Sequence, residues 1–339
     1  MGSFRDQAQR LRISALLKCL VAACVFLHLC SVYNWLPSQG HIAQGETGHT
    51  TKNSTTVHFT DVQHSSAIAD MLLPTSSHFM VPSRNWTIDD RNIVVAKTRD
   101  ENVEWLLPFC EEYLCKPFVY TMDQEPEEGL LVPQTTQGHE AAAYLSYIVT
   151  NYDQLSPYTI FIHANEDQWH NELFGSKTST ALRFLRYESV DANGFVNLRC
   201  TGIPGCPNTL VPVHREPVDD EYAYVADKFF ELYSYLLQVP IDQVPEVVGH
   251  LCCGQFVVTR DQIRSRPKED YERILTWAAT TDFTDSYGIG WTVEKIWHVL
   301  FGREAVDCPR LEQCRCDNYG WCGPLPDGEI LIPIMPHSS

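Results

Sequence analysis

The chain has 339 residues, 44% of them hydrophobic, and a formal charge of −18. That length holds one large domain or two small ones, with apolar content enough for a sizeable core. The negative charge excludes a general nucleic-acid binder, whose affinity rests on Lys and Arg neutralising phosphates, and its spread over the chain after residue 60 suits an acidic secretory or extracytosolic domain.

Residues 1–12 are polar and basic, with Arg5, Arg10 and Arg12. Residues 13–36 are mainly apolar, and the part from Ala15 to Val32, with Lys18 snorkelling, reaches the ~20 residues that a bilayer needs. Tyr33 and Trp35 stand where an interfacial aromatic belt would form. The basic flank precedes the apolar segment, so the expectation is a single-pass type II membrane protein of the endoplasmic reticulum or Golgi, with everything after residue 36 lumenal. A cleaved signal peptide is the alternative, but no clear small-x-small site follows the apolar run. Residues 37–90 are rich in Ser, Thr, His and Gly and read as a flexible stem. Asn53 and Asn85 open glycosylation sequons there.

Residues 91–305 read as an α/β domain. Asn92–Lys97 is a β-rich apolar run, Val103–Leu114 has helical spacing, and Pro117–Met122 is again a strand. Strand, helix, strand at this length predicts a right-handed parallel unit. Asp123–Gly129 is an acidic turn and Gly138–Asn151 a second helix. Thr159–His163 is the strand around which the chain is organised, and it makes three parallel strands. Further helices are expected over Thr180–Arg186, Asp219–Gln238, Asp270–Ala279 and Thr292–Phe301, and strands at Phe195–Leu198 and Phe256–Val258. The aromatic face of the 219–238 helix, with Tyr222, Phe229, Phe230 and Tyr233, reads as core.

Thirteen cysteines divide into three in the membrane segment and ten beyond it. An even number in an oxidising lumen predicts disulfides. Cys110/Cys115 and Cys200/Cys206 are candidate local pairs, and Cys308, Cys314, Cys316 and Cys322 would staple the tail, residues 306–339, to itself or to the body. The spacing lacks the short knuckles of structural zinc. Cys252 and Cys253 are placed on a strand, with side chains on opposite faces.

The polar stretch from His163 to His170, at the carboxyl end of the organising strand, is where an open α/β sheet presents a site. His163, Asp167 and His170 have the chemistry to hold a divalent cation, manganese or magnesium for carboxylates and zinc for imidazoles. Hydrogen-bonded structural roles are the alternative. Glu166 and Asp167 suit a general base or a sugar-hydroxyl acceptor. Gly138-His139-Glu140 opens a helix whose N-terminus suits a phosphate. Glu140 is expected on the sheet edge opposite His163 unless the loop before it folds over the cleft. Glu294 is a candidate base if its helix face points inward, and Asp282 and Asp285 form a second acidic pair. No D-x-D motif stands near the organising strand.

Several motifs, in order, resemble a largely uncharacterised fungal and bacterial family, known as a domain of unknown function, whose members look like small GT-A-type glycosyltransferases. They are Ile93–Lys97 followed by Trp105; Gly138-His139-Glu140 with Tyr144–Tyr152; Phe161–Ala164 with Trp169-His170; Cys253–Arg260 with Ile263–Pro267; and Glu294 with Trp297–Gly302. In that family an arginine usually follows the glycine of the second motif, where His139 stands here. The resemblance implies a GT-A-like, Rossmann-type, mostly parallel sheet with flanking helices. It also implies transfer of a sugar from a nucleotide sugar to a glycan, lipid or small hydroxylated acceptor. The expected catalytic residues are Asp167, Glu294 and His163, with Glu140, His139, Trp169 and Arg260 binding substrate. A metal-dependent hydrolase and a non-catalytic lumenal carbohydrate- or partner-binding protein are the rival expectations.

Overall fold

The computed structural model describes residues 84–171, 174–206 and 222–336. The expected membrane segment, most of the stem and the sequon at Asn53 lie outside the described residues. Among the described residues no helix is long and apolar enough to cross a membrane.

The first half follows the predicted order: β1 (Arg91–Lys97), α1 (Leu106–Tyr113), β2 (Lys116–Thr121), α2 (Glu140–Asn151) and β3 (Tyr158–His163). Then come α3 (Thr178–Phe184), α4 (Tyr187–Asn193) and β4 (Phe195–Asn197). The later elements are α5 (Ala223–Asp227), α6 (Phe229–Leu237), β5 (Gly249–His250), β6 (Phe256–Thr259), α7 (Arg260–Arg264) and α8 (Lys268–Thr280). The chain continues through α9 (Ser286–Glu294), α10 (Trp297–Leu300), β7 (Val306–Asp307) and α11 (Leu311–Tyr319).

Five strands form one sheet in the order β2-β1-β3-β6-β4. β1 lies parallel to β2 and β3, with Ile93 opposite Pro117 and Ile160. β6 is antiparallel to both β3 and β4, so it alone runs against the other four strands. Buried parallel strands are covered on both faces, and the alternation of side chains sorts the core into two clusters. Val94, Phe161, Phe256 and Val258 face α2, α6 and α8–α10. Ile93, Val95, Ile160, Ile162 and Val257 face α1, α3, α4 and α11. Phe161 is fully buried against Tyr144, Tyr147 and Phe256, so truncating it to alanine would cost roughly 3–5 kcal/mol.

Several local expectations are corrected. The helix expected over Asp219–Gln238 is described from Ala223 and breaks at Lys228. That expected over Thr292–Phe301 breaks at Lys295–Ile296 into α9 and α10, although the apolar pattern runs through the break. The stem's last residues pack on the body: Trp86 lies against Tyr158 and Tyr187, while Arg84 pairs with Asp191. Asn85 between them is exposed.

All ten cysteines beyond the apolar segment are paired. Cys110 bonds Cys115 as expected, but Cys200 bonds Cys314 and Cys206 bonds Cys308 rather than each other. Cys316 bonds Cys322. The tail is thus stapled both to itself and to the body, and α11 completes the second core cluster with Cys314 and Tyr319. Cys252 and Cys253 are not on a strand: they sit in a bend and are bonded to each other.

Candidate functional site

From β1 the chain goes to β2 on one side and then crosses to β3 on the other, so the strand order reverses between β1 and β3. Open α/β sheets bind ligands in the crevice outside the carboxyl ends of strands at such a switch point. Here those ends are Lys97 and His163. The loops beyond them are tied together: the Asn102 N–H donates to Asn165 Oδ1 at 2.9 Å, and Trp105 Nε1 donates to the Ala164 carbonyl at 2.9 Å. Lys97, buried at the end of β1, pairs with Glu127 at 2.7 Å.

His163 has one imidazole nitrogen committed. Its Nε2 lies 2.9 Å from the Cys253 carbonyl, and since a carbonyl only accepts, Nε2 carries the proton. Its backbone N–H donates to Gln255 Oε1 at 3.3 Å, and Gln255 in turn donates to Asn171. The His170 ring lies 4.9 Å from the His163 ring. Burial, then the neighbouring His163 and Arg199, pushes its pKa down to about 3. It is therefore neutral at ordinary pH, with a buried Nδ1 that finds no partner. Trp169 is 68% exposed, with the Arg199 guanidinium 5.3 Å from its ring centre.

The carboxylates of this stretch turn elsewhere. Asp167 Oδ1 accepts from Ser176 Oγ at 2.6 Å, and Glu166 pairs with Lys177 at 3.1 Å while accepting from Ser179. These bonds shape the loop leading into α3. Among the described residues no group of three His, Cys, Asp or Glu side chains is placed to hold a metal ion. His163, Asp167 and His170 therefore do not form a ready-made cation cage.

Glu140 lies on the same edge as His163, not the opposite one. A helix joining two parallel strands runs back against them, so α2 starts at their carboxyl edge. The bend at Cys252–Gly254 fits between the two residues. The Cys253 carbonyl meets His163, while a side-chain carbon built on Gly254 would stand 3.6 Å from Glu140 Oε1. Cys253 has φ +92° and Gly254 φ +60°, a left-handed turn rarely adopted by non-glycine residues.

The start of α2 packs backbone to backbone on α9. Gly138 N–H donates to Ser286 Oγ at 2.9 Å. A carbon added to Gly138 would lie 2.8 Å from Ile289 Cγ2, and one added to Gly290 would lie 2.9 Å from the Gly138 carbonyl oxygen. This close approach leaves a cavity of about 200 Å³ lined by His139, Glu140, Tyr287, Gly290, Trp291 and Glu294. His139 and Glu140 thus share one walled space with Glu294, far from them in sequence. Lys295 Nζ stands 3.5 Å from Glu294 Oε1.

Arg260 is not brought to this edge. It begins α7 at the end of β6, and its N–H donates to the Pro157 carbonyl just before β3, at the sheet's other edge. Tyr287 and Trp291 are cavity residues that sequence reasoning missed. The signal available was the Ser286-Tyr287-Gly288-Ile289-Gly290-Trp291 run, whose glycines mark a close helix contact.

Fold and site together define a mixed α/β protein with a mostly parallel central sheet, flanking helices and a polar cleft at the sheet's carboxyl edge. The chain belongs to the family described as protein of unknown function (DUF3431), whose profile matches residues 93–317. No curated protein and no solved structure matches it.

Proposed function

We propose that this chain is a glycosyltransferase-like enzyme with a GT-A-like core. It would move a sugar from a nucleotide donor to a hydroxyl of a glycan, lipid or small acceptor. The observation that carries the reading is the meeting, at one sheet edge, of the switch point between β1 and β3, where such sheets form a ligand crevice, with a cavity holding two carboxylates, Glu140 and Glu294. The crevice suits a nucleotide diphosphate. The cavity suits a sugar with an acceptor hydroxyl. In this scheme Glu294 takes the hydroxyl proton as the acceptor oxygen bonds to the sugar's anomeric carbon. The bond from that carbon to the diphosphate breaks, and the diphosphate leaves with the electron pair. Glu140 would hold a sugar hydroxyl, and Trp169 would present a ring at the rim.

The cation expected with such a donor finds no preformed cage at His163, Asp167 and His170, so no step is assigned to one. Manganese or magnesium would arrive on the diphosphate. Five cystine pairs support passage through an oxidising compartment, in keeping with a type II membrane protein of the endoplasmic reticulum or Golgi anchored through residues 13–36.

The test is a panel of nucleotide sugars screened by thermal shift, with and without manganese, followed by transfer assays on Glu294→Gln. A donor at 100 times its Kd should add about 2.7 kcal/mol of stability. Glu294→Gln should keep that shift and lose transfer by roughly 10²–10⁴-fold. Stabilisation by zinc alone would favour a hydrolase instead, and silence from every nucleotide a binding module.

A further inference from the structure

Outside the cavity, a run of aromatic rings continues from its wall across the surface. Tyr287 lines the cavity and meets the His139 ring edge-on at 6.3 Å. From Tyr287 the rings step to Tyr222 at 4.7 Å, to Tyr224 at 6.3 Å and to Phe283 at 5.6 Å. Single exposed rings are ordinary, but here Tyr287, Tyr224 and Phe283, 47%, 45% and 38% exposed, stand in one contiguous row, as at ligand-binding surfaces. They come from two separate segments, the start of α5 with Tyr222 and Tyr224 and the entry into α9 with Phe283 and Tyr287, so the row is built by the fold and not by a local repeat.

Two of the rings are tied at their hydroxyls. Tyr222 donates to Asp285 Oδ2 at 3.0 Å, and Tyr224 shares a 2.6 Å bond with Thr284 Oγ1. Asp285 also caps α9 through the Gly288 N–H. The rings are therefore held to a fixed element. Rigid tyrosines supply amphipathic contact area at low entropic cost.

We propose that this row is an acceptor subsite for a neutral oligosaccharide, which lies along Tyr287, Tyr222, Tyr224 and Phe283 and delivers one end to the Glu140/Glu294 cavity. The proposal deepens the transferase reading by naming the acceptor class, a glycan of several residues. The ligand's chemistry follows from the surface. A pyranose has an apolar C–H face for each ring and hydroxyls for the Tyr oxygens, for Asp285, which Tyr222 reaches, and for the exposed Asp282 next to Phe283 in the chain. The carboxylates disfavour an anionic chain. A quaternary ammonium fits less well: it needs rings that wall a cage, whereas Tyr222 and Tyr287, 4.7 Å apart and 32° from parallel, already fill the space between them.

The experiment uses the full chain in a sugar-free detergent, titrated with neutral gluco-, manno- and chito-oligosaccharides of increasing length and followed by saturation-transfer NMR. At least one series should bind about tenfold tighter as a tetrasaccharide than as a monosaccharide. Tyr224→Ala and Phe283→Ala should each remove most of that gain while leaving monosaccharide binding and melting unchanged. Affinity independent of length, or a length gain untouched by both variants, overturns the proposal, as does tetramethylammonium saturating the same residues. If the wild type shows the length gain but binds no nucleotide sugar, the transferase reading fails and the glycan subsite stands.

Discussion

Gly290→Ala is the sharpest probe of the contact that forms the cavity. The added carbon would meet the Gly138 carbonyl oxygen at 2.9 Å. A tolerable C–H···O approach is about 3.3–3.6 Å, so α9 and the start of α2 must part by roughly half an ångström. Overpacking of this kind costs about 1–3 kcal/mol, while alanine in a helix interior returns about 1 kcal/mol over glycine. The net loss of stability is then about 0–2 kcal/mol, a fall of a few degrees in Tm. The effect on function should be larger. The shift moves His139 and Glu140 against Glu294, and misplacement by 1 Å costs about 10²-fold in rate, so a loss of roughly tenfold is expected. Melting and the proposed sugar transfer, measured on the same preparation, separate the two effects. A variant that melts and transfers like the wild type would refute the claim that this glycine contact sets the cavity. Gly138→Ala adds left-handed strain at φ +98° to its clash with Ile289 and should lose more, about 2–4 kcal/mol.

Cys314→Ser opens the bridge to Cys200, which closes 114 residues. Chain-entropy arguments put that bridge at about 4–5 kcal/mol, read out as a large drop in denaturation midpoint without reductant. His170 is held neutral by burial, with a pKa of about 3 against the ordinary 6.5. A depressed folded-state pKa stabilises fully above the unfolded value, so stability should fall as pH drops from 6.5 toward 3. Melting followed over that range should show a shallower decline in His170→Asn. Asp285→Ala removes the cap of α9 and should cost about 1 kcal/mol, visible as lowered melting at neutral pH.

The parallel half of the sheet was legible because strands buried on both faces read as unbroken apolar runs, as Asn92–Lys97 and Thr159–His163 do. The reversed direction of β6 was not, since strand orientation is set by where the chain returns from and not by the strand's own residues. The break at Lys295–Ile296 escaped notice because Trp291, Ile296 and Trp297 keep an apolar pattern through it. At the site, His163 was visible as a strand end, but its partner is a carbonyl 90 residues away, in a bend that looked like a strand. Glu140 stands at the carboxyl edge because a helix joining two parallel strands runs back against them, a consequence of topology and not of any property of the residue. The cavity needed Gly138 and Gly290 to meet, and a pairing between glycines so far apart leaves no local trace.

The crossed cystines have a consequence for how the chain is made. During vectorial synthesis Cys200 and Cys206 emerge together, six residues apart, while their native partners Cys314 and Cys308 follow about a hundred residues later. In that interval the proximal bond between Cys200 and Cys206 is the one that chain statistics favour, since a short loop closes at lower entropic cost. Maturation then requires thiol–disulfide exchange to undo it once α11 is available to cover the second face of the sheet. Yield in a heterologous host should accordingly depend on disulfide isomerase more than on oxidant.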